Sequence, residues 1–392
     1  MKLHFENPVY PVTAVLSRDT VQSSPFQVYS NDTLLYIDSL APGKAYAYTV
    51  KALPGKDTAL TTIKTLDTTS HSFNIMGWTF GEVSNSIFRD VAIINDHDIW
   101  AVGEVYLYNG ADPSGTLYNA VYWDGASWKL YQFKFLVSCY DTVHHVMPID
   151  AIYSQSPDSI WMNAGSSMML YNGKEPLYIG CIESSVVKYF GRNNHDIYGV
   201  GGIGRIIHYD GQSWQLQPSG TSMNLRDVWG SADGKTVWAC GYYDGAVPRT
   251  VLLKNSGSGW QTVYEGNPRD YTDVHYDFMT AGWTDSEYWT YICNGDIMSF
   301  LKSNNTFTLE STGPFLRDLA FCMCGDRANN MFYGGQWGLI EQYNGSTYQS
   351  LKYQLGINEK LFACTMKDGI VCMVGKKNIN LIYNQAVIYI VW

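Results

Sequence analysis

The sequence predicts an all-β chain: a seven-bladed β-propeller preceded by a small β-sandwich-like module. Three observations carry that expectation. The phrase "HDIWAVG" at His97 returns as "HDIYGVG" at His195. Four looser copies follow the same grammar of polar turn, apolar residues and closing Gly: "DSIWMNAG" from Asp158, "KTVWACG" from Lys235, "NNMFYGG" from Asn329 and "DGIVCMVG" from Asp368. Aromatics supply 15% of the 392 residues and charged residues only 16%, which suits pleated, half-buried surfaces better than long helices. No stretch sustains helical apolar spacing, and no apolar run is long enough to span a bilayer.

In chain order, residues 1–66 read as strands of the small module, 67–84 as a linker or ring-closing strand, and 85–392 as the propeller. The clearest unit starts at Leu225 and splits into "LRDVWG", "TVWACG", "TVLLKN" and "GWQTVY", separated by Gly, Asp, Asn, Ser and Pro. Four strands with two apolar faces cannot bury themselves, so each unit needs neighbours on both sides. Units begin near Phe88, Ile149, Lys188, Leu225, Thr272, Arg317 and Leu361, a spacing of about 40 residues that suits propeller blades. Six or eight blades would fit almost the same pattern. "NIMGWTFGE" looks like an outermost strand that closes the ring against the last unit, yet that unit reads as owning an outer strand already in "VIYIVW".

Most recurring residues have structural explanations. Tags such as "WDG" at Trp123, "YDG" at Tyr209 and "YNG" at Tyr171 and Tyr343 are expected hairpin turns whose Asp-Gly or Asn-Gly pair takes positive φ. The Asp of the first strand (Asp90, Asp150, Asp227, Asp273, Asp318) recurs too regularly for catalysis and should bond a neighbouring turn or backbone. Trp100, Trp161 and Trp238 should pack between blades.

At these residues the chain resembles a family. "LRDVWGSADGKTVWACG" with "GIGRIIHYDGQSW" is similar to the bacterial extracellular propeller repeat, whose blades read D-V-W-G, polar turn, D-V-W-A-V-G, G-x-I-x-H-Y-D-G and W. The resemblance covers residues from about 85 onward, most closely in the third unit. It implies a secreted or surface location and names no reaction. "LAPGKAYAYTV", with Leu40, Pro42, Gly43, Tyr46, Tyr48 and Val50, resembles a strand of a fibronectin type III module entered from its Pro-Gly turn. Strands matching the first two of such a module are missing, so this part reads as a partial module with an open edge. The chain is then either a piece of a longer secreted protein or a subunit whose partner supplies the missing strand.

Composition also sets limits on function. A net charge of −10 with pI near 5.2 and no Lys/Arg cluster argues against nucleic acid or an anionic membrane. "MKLHFENPVYP" has no apolar core for a signal peptide, so the chain reads either as cytoplasmic or as the mature part of something longer; the resemblance implies the second, with the signal removed or outside this sequence. The eight Cys show no CxxC pair and read mostly as buried small hydrophobes. "CYDTVHH" at Cys139 is the only local group with plausible ligands, and its adjacent His residues would point apart, so no metal and no cofactor is expected. There is no GxSxG, Walker, HExxH or EF-hand motif. "SADGKTVW" at Ser231 approaches the Asp-box of sialidase-like propellers, but Lys235 and Val237 stand where Gly and Thr belong, and that box is a structural turn.

Function is therefore expected on the loops. In a propeller, the loops from outer strand to next blade and those from second to third strand share one face, and the insertions fall there: "EVYLYNGADPSGTLY", "KFLVSCYDTVHHVMP", "YYDGAVPR" and "EGNPRDY". The candidate ligand-binding residues are Tyr106, Tyr108, Tyr242, Tyr243, Arg249, Arg269, Tyr271 and Trp337, able to stack on sugars or anchor a peptide. No catalytic residue is singled out. The leading expectation is a non-catalytic extracellular binding or structural module. Its partners would be other extracellular subunits or surface glycans, with self-association through the open N-terminal edge. The alternative is a carbohydrate-active hydrolase or lyase on the loop-rich rim.

Overall fold

A computed structural model describes the chain except residues 1, 5–9, 19–20, 30–31, 35–39, 54–57, 111, 183–184, 232–233, 268–278, 287–288, 295–296, 303–306, 310–318, 352–358 and 381–382. It divides into two units, Met1–Ser70 with Asn344–Ser346, and His71–Tyr343 with Thr347–Trp392.

In the first unit, Val12–Arg18 and Ala45–Leu53 are the central pair of a sheet. Alternation in Ala45–Leu53 buries Tyr46, Tyr48 and Val50 on one face, where Val50 joins Ala14 and Val28 in a small core. Thr58–Lys64 flanks this pair with nearly every side chain exposed, and Val21–Gln22 and Phe26–Val28 both pair with Val12–Arg18 on the other side.

The second unit contains seven four-stranded antiparallel sheets among the described residues. Their inner strands are Ile87–Asn95, Ala151–Ser156, Val186–Asn193, Asn224–Gly230, Met279–Ser286, Ala320–Arg327 and Glu359–Lys367. Each touches the next, and the last touches the first, so the sheets stand radially as blades one to seven around an axial channel. The four runs read from the unit at Leu225 are the four strands of blade four.

The ring closes by sharing a blade between chain segments. Ile75–Phe80 pairs with Asn384–Val391 as the outer strand of blade seven. "VIYIVW" is thus the third strand of that blade, not its outer one. Its side chains are too buried for an edge: Val387, Ile388 and Val391 are wholly covered. Sharing removes two open edges that would otherwise face water.

The aromatics of the repeat phrase fill the spaces between blades. Trp100 of blade one packs on Tyr171 of blade two, and Trp161 of blade two on Tyr209 and Trp214 of blade three. Trp238 lies in a cluster with Met279 and Ile292 of blade five.

The tag turns use a different device from the expected one. Positive φ falls on Gly125, Gly173, Gly211 and Gly345 alone, while the preceding Asp or Asn folds its side chain onto the turn. Asp124 Oδ1 accepts the amides of Ala126 and Ser127, and Asp210 Oδ1 those of Gln212 and Ser213. This is Asx-turn chemistry, in which the carboxylate replaces a backbone acceptor.

The cysteines also depart from expectation at one point. Cys139 and Cys181 form a disulfide, tying the insertion hairpin Lys134–Leu136/His144–Val146 to the outer strand of blade two. The other six, Cys240, Cys293, Cys322, Cys324, Cys364 and Cys372, are buried free thiols. The pairing joins residues 42 apart in sequence, a separation with no recognisable spacing signature.

Candidate functional site at the channel mouth

The repeat phrase ends in Gly because of the inner strand beside it. At Gly103, Gly201, Gly241, Gly335 and Gly375 an added Cβ would lie 1.9 to 2.1 Å from a backbone carbonyl at the start of its own blade's inner strand. Close approach there accompanies a β-bulge. The register skips one residue between Phe88 and Asp90, Val186 and Lys188, Leu225 and Asp227, Met279 and Ala281, Ala320 and Cys322, and Leu361 and Ala363. A bulge leaves one residue out of the ladder and re-aims its side chain.

The six extra residues are Arg89, Val187, Arg226, Thr280, Phe321 and Phe362, and all line one cavity of about 450 Å³ at the channel mouth. Blade two contributes Asp150, just before its inner strand, and Tyr242 completes the wall. The mouth therefore takes at least one residue from every blade. It lies where inner strands begin, on the face that carries the outer-to-inner and second-to-third strand loops.

Its chemistry is uneven around the ring. Phe321 and Phe362 of blades six and seven stack at 5.9 Å and 17°. On the other side, the Arg226 guanidinium lies 5.0 Å from the Tyr242 ring centre, a cation–π contact that holds the charge over the opening. Arg89 is held by Glu104 at 2.6 Å, and Glu104 also accepts the Tyr106 hydroxyl at 3.0 Å. Burial, then Glu104, pushes the Tyr106 phenol up to about 12.

One residue deeper, the channel wall carries charge. Lys188 of blade three reaches Asp90 of blade one at 2.5 Å, in front of blade two. Asp90 is wholly buried and also accepts the Ile152 amide of blade two at 3.1 Å. Burial alone would lower the Lys188 pKa, but Asp90 and Asp227 outweigh it and hold it above its ordinary value. Burial raises Asp227 to about 6, against the pull of Lys188. Asp227 accepts the Val228 amide and, across the blade seam, the Gly282 amide at 3.0 Å. Asp150 accepts the Gly165 amide and the Ser185 hydroxyl. These recurring aspartates bond backbone and turns, and Asp273 and Asp318 lie outside the described residues.

The rim residues named from sequence scatter around this mouth. Tyr242 lines it, and Tyr106 reaches it through Glu104. Tyr108 and Tyr243 are exposed at 60% and 51%, and Arg249 is paired with Glu265. Trp337 stands half exposed at a positive φ of 56° in the short 3-10 turn Gln336–Gly338 of blade six. Arg269 and Tyr271 lie outside the described residues. Arg89, Arg226, Phe321 and Phe362 escaped the sequence reading. Their signal was the closing Gly of each phrase, which marks the bulge, together with position just before the recurring Asp in Arg89–Asp90 and Arg226–Asp227. In "CYDTVHH", Cys139 is in the disulfide and His144 packs on Tyr178 at 4.2 Å. Among the described residues no group of His, Cys, Asp and Glu is placed to hold a metal ion.

No family model matches the chain. Over 150 residues it is 26% identical to the immune protein Tsi7 of Pseudomonas aeruginosa, a match covering 38% of this chain and 43% of that protein. The chain thus spans less than half the length of that relative. The structure of YCF48 bound to D1 peptide superposes with a TM-score of 0.56 at 14% identity, covering 81% of this chain and 96% of that one. The WD40 β-propeller domain of Doa1 superposes with a TM-score of 0.54 at 13% identity, covering 82% and 98%. What the chain shares with such structures is the fold: it is a β-propeller protein.

Proposed function

We propose that the chain is a non-catalytic extracellular binding module that seats a segment of a partner protein over the channel mouth. The observation that carries this reading is the ring of bulges, which spends backbone regularity in six inner strands to aim side chains into one opening. An aromatic wall facing a pre-oriented guanidinium suits an apolar side chain next to a carboxylate. The YCF48 neighbour holds a peptide, and the relative Tsi7 is described as an immune protein; both support a role in recognition. The Cys139–Cys181 disulfide supports an oxidising compartment. The exposed strand Thr58–Lys64 offers the N-terminal unit a place for strand addition by a second copy or another subunit.

The test is affinity capture from the source's extracellular fraction with the wild-type chain and with Arg226→Glu/Phe321→Ser/Phe362→Ser, read by mass spectrometry. A partner retained by the first and lost from the second is the expected result. Equal capture by both would overturn the reading.

A further inference from the structure

The axial channel carries a cluster of nucleophilic groups that the mouth does not use. Three free thiols, Cys322 and Cys324 of blade six and Cys364 of blade seven, line a channel cavity of about 530 Å³ and meet in one cluster at the seam between those blades. Cys364 is the middle member, hydrogen-bonded to Cys322 and to Cys324 across the seam. Cys322 Sγ also donates to the Gly334 carbonyl of its own blade at 3.6 Å. Cys322 and Cys324 lie two apart on one strand and point the same way, a poor arrangement for bonding to each other. Cys364 is the partner that each of them faces.

The six free cysteines are not equivalent. Cys240 and Cys372 have no exposed surface and Cys293 only 1%, whereas the three at the seam keep 6–7% and border the channel. A reagent little larger than water reaches the second group and not the first. Burial pushes the Cys322 and Cys364 thiols well above their ordinary range, and the Lys188 ammonium on the far wall of the channel pulls both back. The thiolate is the reacting form, so that cation favours reaction at the seam over reaction elsewhere in the core.

We propose that this seam is a peroxide-reactive dithiol site, at which Cys364 and one of its two neighbours close into a disulfide that fixes the mouth above it. One thiolate attacks hydrogen peroxide, breaks the O–O bond and becomes a sulfenic acid. The second sulfur attacks that sulfur, the S–S bond forms and the hydroxyl leaves as water. Two thiols thus give up two protons and two electrons, and one peroxide becomes two waters. Phe321 precedes Cys322, and Phe362 stands two residues before Cys364, so the bond joins the two strands that carry the stacked pair of the mouth. Holding that wall in place lowers the ordering cost of seating a partner segment. This last consequence rests on the partner reading; the thiol chemistry does not.

The experiment exposes the folded full chain to hydrogen peroxide, quenches it, then unfolds, alkylates and digests it for mass spectrometry. Alkylated cysteines should fall from six to four, and the new linked peptide should contain Cys364 joined to Cys322 or Cys324. Cys364→Ser should keep all five of its free thiols under the same treatment. Six thiols still free after peroxide, a link without Cys364, or over-oxidation of the three with no link would overturn the site. The wild-type map needs no variant, so it decides the matter even if Cys364→Ser fails to fold. Affinity capture with the oxidised and untreated chains then reads the mouth: the oxidised form should retain several-fold more partner, and equal retention would overturn the control of the mouth. Capture by neither form would count against the partner reading instead, with the peptide map still deciding the dithiol site.

Discussion

Adjacent glycines in blade three provide a sharp test of the bulge argument. At Gly201 an added Cβ would lie 2.0 Å from the Ser185 carbonyl oxygen, whereas at Gly202 the nearest atom is Asn224 Oδ1 at 3.5 Å. A comfortable carbon–oxygen contact is about 3.3 Å, so Gly201→Ala must drive backbone apart by roughly 1.3 Å. The obstacle is main chain and cannot rotate away. Overpacking of this kind costs about 1–3 kcal/mol, and prising Val186 from its pairing with Gly201 adds about 1 more. The expected loss is about 2–4 kcal/mol. Gly202→Ala meets only an ordinary contact and narrows the unfolded ensemble, so its effect should stay within about 1 kcal/mol of zero. Urea unfolding of the full chain, followed by tryptophan fluorescence, measures both as shifts of midpoint at constant slope. Equal midpoints for the two variants would refute the claim that the closing Gly is demanded by the bulge.

Other outcomes follow from the buried charges, the disulfide and the ring closure. Lys188→Met strands the wholly buried Asp90 carboxylate and should cost about 3–5 kcal/mol in the same urea assay, most of it recovered by adding Asp90→Asn. The folded-state pKa of Asp227, about 6, lies above its unfolded value, so its contribution is largest at low pH and is lost as pH rises toward and through 6. Asp227→Asn should therefore gain stability relative to wild type between pH 4 and pH 7.5; a difference that is flat or falls with pH would contradict the burial of this group. Alkylation without reductant should label no cysteine in the folded protein and six after unfolding, with a linked Cys139–Cys181 peptide in the digest. Removing residues 71–80 deletes the outer strand of blade seven and should convert the protein to aggregates on size-exclusion chromatography.

Much of the fold was legible because a blade is a local object. The runs "LRDVWG", "TVWACG", "TVLLKN" and "GWQTVY" are short, β-rich and separated by turn residues within about 40 positions, so pattern alone sets out their strands. Trp100 and Trp161 were legible as packing residues because large rings recurring at one register need a partner surface. Positive φ at the tag turns was legible too, but not its confinement to Gly, since an Asx side chain and a second left-handed residue look alike in a string of letters.

The mouth was less legible for a physical reason. Alternation tells which residues of a strand share a face, and a bulge breaks that alternation by inserting one residue. Arg226 and Phe362 therefore read as ordinary inner-strand positions until the register is known. Named rim residues such as Tyr243 and Arg249 were chosen for loop position and residue type, neither of which measures distance to the axis.

By itself the sequence determined the repeat, the strand-turn rhythm and the all-β class, because these depend on neighbours a few residues apart. Only the tertiary structure decided that Ile75–Phe80 completes the last blade, that Cys139 meets Cys181, and that residues from every blade converge on a single opening. Those are contacts between segments far apart in the chain. They are set by how the blades close into a ring, and no local pattern encodes closure.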